Sequence, residues 1–437
     1  MKASNFLKEN NARNIWHPMG HPGKLQKDAP TIITGGDGVH ITDIDGHRVV
    51  DGVGGLWNVN LGYSSDPVKQ AITAQLDRLP YYSAFAGTSN DTAIELAFEL
   101  REWLAEEGMG RAFFTSGGSD SVETALRLAR QYHKLHGEPG RTKFLSLKKG
   151  YHGTHFGCAS VNGNNRFRHA YEPLLAGCRH LPAPYPYRDP NGITDPARLA
   201  EAILATAGDE IAFEGADTIA AFIMEPILGA GGVHVPHPTL MPGMRDICDR
   251  HGILMIADEV ITGFGRTGDW SGSRHWGVTP DMMCLAKAIT NGYFPFGATM
   301  LSDAVAEVFE TAGADGFIGH GYTYSAHPVG AAGALACLAE TKRLKVKDNA
   351  KARGTQLYQG MLDLQTRHEL IGDVRGGHGL MTAIELVTDR STKAAVSPDV
   401  ALTVQKHAYE NGAMLRASGA TIIISPPLVL PEKDAET

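Results

Sequence analysis

Cysteine is scarce and scattered: Cys158, Cys178, Cys248, Cys284 and Cys337 are the five in a chain of 437 residues, an odd number with no CxxC pair. That spacing excludes a disulfide framework and a cysteine-built zinc site, and it implies a reducing, cytoplasmic setting. Positive charge is also short. Lysine and arginine number 40 against 48 aspartates and glutamates, a formal charge of -8, so there is no cationic excess with which to grip nucleic acid. No apolar run approaches the ~20 residues of a membrane span. The opening MKASNFLKENNARNIWHPMG lacks the apolar centre of a secretory signal. Internal repeats, low-complexity tracts and linkers are missing too, which leaves a globular chain of two or three closely packed domains.

Glycine is plentiful, at 51 of 437 residues against a usual ~7%, so many turns or close backbone approaches are implied. VHITDIDGHRVVD reads as two alternating runs joined at Asp45-Gly46, a hairpin in an N-terminal antiparallel unit. From about Leu61 amphipathic helices such as Asp91 to Leu104 alternate with the short apolar runs AFFTS, TIAAFIM and ILMIAD. That alternation predicts a mostly parallel sheet flanked by helices. Near His327 a helix-rich stretch begins, followed by LMTAIELV, AMLRA and TIIIS as strands of a further α+β unit. The division expected is 1–60 and 327–437 as the two parts of a small α+β domain, with 61–326 as the large domain between them.

Three sites along this pattern carry chemistry. The strand AFFTS runs into Gly117-Gly118-Ser119 and then a helix whose apolar face is Val122, Ala125, Leu126, Ala129 and Tyr132. Small residues at such a turn let backbone N–H groups and the positive helix end approach a phosphate, although the same residues also serve as an ordinary helix cap. ILMIADEV ends an apolar strand in Asp258, at the carboxyl edge where open α/β sheets bind ligands. PDMMCLAKAI ends in Lys287, a lysine in an apolar run, where desolvation favours the neutral amine that attacks carbonyls. Isolated, Asp258 could cap a turn and Lys287 could reach solvent. A phosphate turn, a strand-end acid and a buried lysine together make up the set that pyridoxal 5'-phosphate needs.

FFTSGGSDSVETALRLAR, GYHG, MEPILGAGGV, DEVITGFGRTG, PDMMCLAKAITNGYFPFGA and HGYTYSAHPVG, in that order, closely resemble the class III pyridoxal-phosphate aminotransferases of fold type I. Within them the chain is most similar to the ω-amino acid and amine:pyruvate transaminases, from about Trp16 to Leu430. The resemblance implies that Lys287 forms the internal aldimine and shuttles the substrate proton, and that Asp258 keeps the pyridine nitrogen protonated. It implies phosphate binding by Gly118 and Ser119, ring packing by Tyr151 and Val260, and an acidic position near the ring at Glu225. Thr323 matches the threonine that reaches the phosphate of a neighbouring subunit, so the resemblance implies a homodimer or higher homo-oligomer with its active site at the interface. Trp57 and Phe85 match the aromatic walls around the substrate, and Arg416 the arginine that binds a substrate carboxylate and swings aside for an uncharged amine. Small-molecule amine and keto acid substrates follow, with pyruvate as the expected acceptor and ping-pong kinetics. Mutases, racemases and decarboxylases share the fold and remain alternatives, as does a non-catalytic cofactor-binding protein.

Some positions depart from the pattern or invite another reading. Ala326 stands where relatives usually carry glycine, and Gly153 is expected to widen one side of the pocket. The chain ends at VLPEKDAET where family members continue into a last helix, which implies a truncated C-terminus. His17 with His21, and His152 with His155, have spacings open to a metal but no convergent third ligand, so hydrogen-bonding histidines are expected. Cys284 is expected to be a buried structural thiol.

Overall fold

The computed structural model describes residues 4–437. An antiparallel unit opens the chain, with strands β1 (Ile33–Asp37), β2 (His40–Asp43) and β3 (Arg48–Asp51). The β2–β3 hairpin turns at Gly46, whose φ of 84° suits glycine, and Asp43 Oδ1 accepts from the N–H groups of Asp45 and His47 at 2.9 Å each.

The central sheet has seven strands: β4 (Met109–Thr115), β5 (Lys143–Leu147), β6 (Cys178–Leu181), β7 (Ile219–Met224), β8 (Leu254–Asp258), β9 (Met282–Leu285) and β10 (Gly297–Ser302), in the order β4-β10-β9-β8-β7-β5-β6. β9, β8, β7, β5 and β6 run parallel, while β10 is antiparallel to both β9 and β4. The sheet is thus mostly parallel, with one strand reversed. Every residue of β7 and β8 is buried, because both faces are covered and there is no solvent side to demand polar residues. On one face the helix Gly118–Leu135 lays down Val122, Ala125, Leu126 and Ala129 against Ile223, Ile256 and Cys284, with Tyr132 packed at the margin. That is the stripe its sequence period encodes.

After the helices Pro328–Arg343 and Val346–Arg367 come β11 (Ile371–Arg375), β12 (Thr382–Asp389), β13 (Ala394–Ala395), β14 (Ala413–Met414), β15 (Arg416–Ser418) and β16 (Thr421–Ile424). β14 pairs parallel with β3, Ala413 opposite Val50, so early and late segments share one sheet. Tyr409 reinforces the join: its hydroxyl donates to Asp43 Oδ2 at 2.6 Å and its carbonyl meets His47 Nε2 at 2.8 Å. Among the described residues no helix is long and apolar enough to cross a membrane.

Arg266 ties these layers together from the interior. It is fully buried, and its guanidinium donates to the carbonyls of Leu380 (3.1 Å) and Pro426 (2.6 Å) and to Asn60 Oδ1 (2.6 Å). Among the described residues no carboxylate pairs with it. Burial pulls its pKa down to about 9, with Asp51 favouring the charge from a distance. Replacing Arg266 by Met strands three acceptors, so it should destabilise the protein by about 3 kcal/mol. Thermal unfolding checks this, and an unchanged midpoint would contradict the account.

Candidate active site

The carboxyl ends of β4, β5, β7, β8 and β9 open onto one cavity of about 420 Å³. Its wall includes Gly118, Ser119, Tyr151, Glu225, Asp258, Val260 and Lys287. Seven of the residues singled out from the sequence are therefore brought together there.

Asp258 ends β8 and is buried. Its Oδ2 accepts from His152 Nδ1 at 2.8 Å and its Oδ1 from the Val260 N–H at 3.2 Å. His152 is buried as well and is held in turn: its N–H donates to Asn162 Oδ1 at 2.5 Å, and Asn162 Nδ2 donates to Gly153 O at 2.9 Å. The sequence indicated that His152 would be a hydrogen-bonding histidine, but its partner and its place beneath the cavity were not legible. The signal available was its position beside Tyr151 in GYHG. His155 pairs elsewhere, Nε2 to Asp120 Oδ1 at 2.7 Å, so the two histidines serve different carboxylates.

Lys287 follows β9 with a left-handed φ of 51°, a conformation that costs a non-glycine residue of the order of 1 kcal/mol and that clusters at functional sites. Among the described residues its ammonium has no hydrogen bond or ion pair, and the residue is half-buried. Burial pushes its pKa down to about 8, against the opposing pull of Asp258 and Glu225 and with assistance from Arg416. Glu225 follows β7; its Oε1 accepts from the Tyr151 N–H and its Oε2 from the Gly229 N–H, both at 2.9 Å. Burial raises its carboxyl to about 7. The thiol of Cys284 is buried and its pKa driven upward by desolvation, so it is a packing residue.

The helix Gly118–Leu135 begins without a side-chain cap, leaving its first N–H groups free for an anion. Gly118 keeps this turn open: a Cβ would lie 3.0 Å from Val260 Cγ1, so a larger residue would press on that side chain. Gly153 has a different cause from the expected widening. Its φ of 117° and the approach of Ser119 Oγ, 2.7 Å from where a Cβ would sit, leave room only for glycine. Tyr151 presents its ring to the cavity and meets the edge of Phe167, with centroids 4.8 Å apart.

Four residues singled out from the sequence lie off this wall. Trp57 is 1% exposed and packs in the core. The turn at Gly54 and Gly55 (φ 58° and 66°) and its own φ of 64° carry the indole inward. Leu56, 51% exposed, and Asn58 line the cavity instead, so an aliphatic and an amide side chain stand in the place expected of Trp57. Phe85 is exposed beside Gly321. Thr323 is exposed, its carbonyl accepting from Tyr81 Oη at 2.7 Å. Arg416 opens β15, half-buried and without an ion pair, near enough for its charge to act on Lys287 and Tyr151.

An unpartnered amine, a buried carboxylate fixed by a histidine, and an uncapped helix start beside a glycine cradle meet the requirements of pyridoxal phosphate. Lys287 would hold its aldehyde carbon, Asp258 its ring nitrogen and Gly118-Ser119 its phosphate. The lysine also sets a pH dependence. Its folded pKa of about 8 lies below the 10.5 of a free lysine, so between these values the unfolded chain binds more protons and stability rises with pH. Thermal melts of the cofactor-free protein should show that slope, and Lys287→Met should remove it.

The family model for "Aminotransferase class-III" matches residues 24–437. The chain is 37% identical over 408 residues to the putrescine–pyruvate aminotransferase of Pseudomonas aeruginosa, covering 93% of this chain and 88% of that protein. Its structure superposes with a TM-score of 0.95 on an amine transaminase from an uncultivated Pseudomonas species in the PLP-bound (internal aldimine) form, at 47% identity over 97% of this chain and 96% of that one. A thermostable (S)-enantioselective omega-transaminase from Thermomicrobium roseum gives a TM-score of 0.95 at 35% identity, covering 100% and 96% of the two chains. With the lysine, the carboxylate and the helix start on one wall, the chain belongs to the class III aminotransferases and is a pyridoxal-phosphate-dependent transaminase of the fold type I α/β class.

Proposed function

We propose that the enzyme takes the amino group of an amine or ω-amino acid and delivers it to a keto acid, pyruvate in the simplest case, in two alternating half-reactions. The observation that carries this reading is the unpaired Lys287 amine facing buried Asp258 across a single cavity. The names of the relatives support both substrate classes, putrescine with pyruvate in one and amines in the other. When bound, the cofactor supplies an electron sink that lets a C–H bond beside nitrogen ionise.

The chain's own residues do the rest. Lys287 Nζ, kept partly neutral by burial, takes the proton from the donor carbon and returns it on the acceptor side. Asp258, oriented by His152, holds a proton on the ring nitrogen, where a negative charge in a low-dielectric site is most effective. The N–H groups of Gly118 and Ser119 bind the phosphate. Tyr151 and Val260, both on the cavity wall, would pack against the cofactor ring and exclude water, and Glu225 fixes the Tyr151 backbone. Arg416, partly buried with no carboxylate of its own, receives the keto acid. Phe85 closes the outer side of the substrate site, with Leu56 in the place expected of Trp57.

The active form is a homodimer in this reading. Thr323 lies outside its own cavity against Tyr81, with exposed Tyr324 packed on Tyr81 and exposed Phe85 beside Gly321, an apolar patch suited to covering by a second copy. A cytoplasmic enzyme suits the buried free thiols of Cys158, Cys248, Cys284 and Cys337.

Mixing the loaded enzyme with 1-phenylethylamine, putrescine or β-alanine should bleach the visible band of the lysine-bound cofactor, and pyruvate should restore it as alanine appears. A band that never bleaches would overturn the reading. Asp258→Asn should slow both half-reactions at least about a hundredfold, as loss of a preorganised charge at the reacting system does. Tyr324→Glu should shift the protein from two chains to one in sedimentation and weaken cofactor binding.

A further inference from the structure

Beyond Tyr151 and His152 the loop after β5 runs back across the turn at Ser119 and is pinned there. The Thr154 N–H donates to Ser119 Oγ at 3.1 Å, and Cys158 Sγ donates to Ser119 O at 3.1 Å. His155 stands between them as the N-cap of the short helix Phe156–Val161, yet its side chain makes no capping bond. The ring turns instead to Asp120, Nε2 to Oδ1 at 2.7 Å. A carboxylate only accepts, so Nε2 carries the hydrogen.

Asp120 is the third residue of the helix Gly118–Leu135, and that position makes it a rival of any bound phosphate. An acidic side chain in the first turn is drawn to the positive helix end and can fold back onto free N–H groups. Those groups have no side-chain cap here. Both oxygens of Asp120 are occupied elsewhere: Oδ2 accepts from the Ser116 N–H at 3.1 Å and Oδ1 from His155. Among the described residues no lysine or arginine pairs with it. Its main chain is held too, since Tyr322 Oη donates to Asp120 O at 2.9 Å. The side chain is therefore the part free to move, and His155 tethers it from a separate segment, 35 residues along the chain.

We propose that His155 is a positioning residue for the cofactor phosphate, acting through Asp120. By holding Oδ1 toward the loop after β5, it keeps the carboxylate off the N–H groups of Gly118 and Ser119. It also draws part of the negative charge away from the place where the phosphate charge arrives. Without His155 the second oxygen turns to the helix start and competes with the phosphate. This deepens the transaminase reading and rests on its placement of the phosphate at Gly118 and Ser119.

The test is titration of the cofactor-free full chain with pyridoxal 5'-phosphate and, separately, with pyridoxal, which has the same aldehyde and ring but no phosphate. The visible band of the lysine-bound form reports each Kd. The readout is the ratio of the two values, which a general loosening of the ring pocket leaves in place because both ligands share that pocket. In His155→Ala the preference for the phosphorylated ligand should fall about fivefold, the size of one half-exposed charge-assisted contact. Because His155 is exposed, its truncation opens no core cavity. His155→Gln keeps an N–H donor and should recover most of the preference. In an Asp120→Asn background, where the competing charge is gone, His155→Ala should have no further effect on the ratio. An unchanged ratio in His155→Ala, or an equal loss with Asp120→Asn present, would overturn the proposal while leaving the transaminase reading intact. A wild type with no preference for the phosphorylated ligand would bring down the phosphate placement itself, and the proposal with it.

Discussion

The buried hydrogen bond between Asp258 and His152 is the constraint around which the site is built. A carboxylate at the inner end of a fully covered sheet is costly unless its oxygens are matched. Here His152 Nδ1 matches one oxygen and the Val260 N–H the other. To present that imidazole, the loop after β5 must hold one conformation, and Asn162 fixes it from both sides. The same loop carries Tyr151, whose N–H is taken by Glu225 at the end of β7. Satisfying one buried charge therefore also fixes the aromatic face of the cavity and the ends of two neighbouring strands.

Lys287, Asp258 and the Gly118 turn were legible in the sequence because each stands at a strand end, where the change from apolar run to polar residue is visible in a short window. His152 was not, since its partner lies 106 residues away and only the sheet order brings the two strand ends together. The mostly parallel sheet could be read from alternating helices and apolar runs. The reversal of β10 could not, because the burial of GATMLS looks the same in either direction. Trp57 shows another limit. Its aromatic character and its place in the motif suggested a substrate wall, but side-chain direction depends on backbone dihedrals, and positive φ at Gly54, Gly55 and Trp57 turns the indole into the core.

Matched and unmatched charges separate scaffold from chemistry. Where arginines serve the fold their guanidinium groups are engaged: Arg375 bonds Asp373, Glu385 and the Gly232 carbonyl, and Arg266 donates from Nη1 and Nη2 to two carbonyls and an amide oxygen. Glu259, adjacent to Asp258, is equally committed, accepting from Thr262, Gly272 and Ser273. Lys287 and Arg416 break this rule. Each has its charge near the cavity without a partner, which is unfavourable in the empty protein and becomes favourable only when a ligand supplies the missing group.

The cavity also divides into a fixed half and an adjustable half, and the division follows the secondary structure. Asp258, Glu225 and Lys287 sit at or directly after the ends of central strands, the two carboxylates buried and hydrogen-bonded. Leu56 on the cavity wall, and Arg416 and Phe85 outside it, lie on a kinked turn, an edge strand and a loop and are more exposed. A transaminase must apply one chemical apparatus to two unlike molecules, an amine and an acid. Invariant proton transfer requires the rigid strand ends, whereas successive recognition of a neutral and an anionic partner requires groups whose positions depend on what is bound. Placing the chemistry on the sheet and the recognition on its margin lets the second change without disturbing the first.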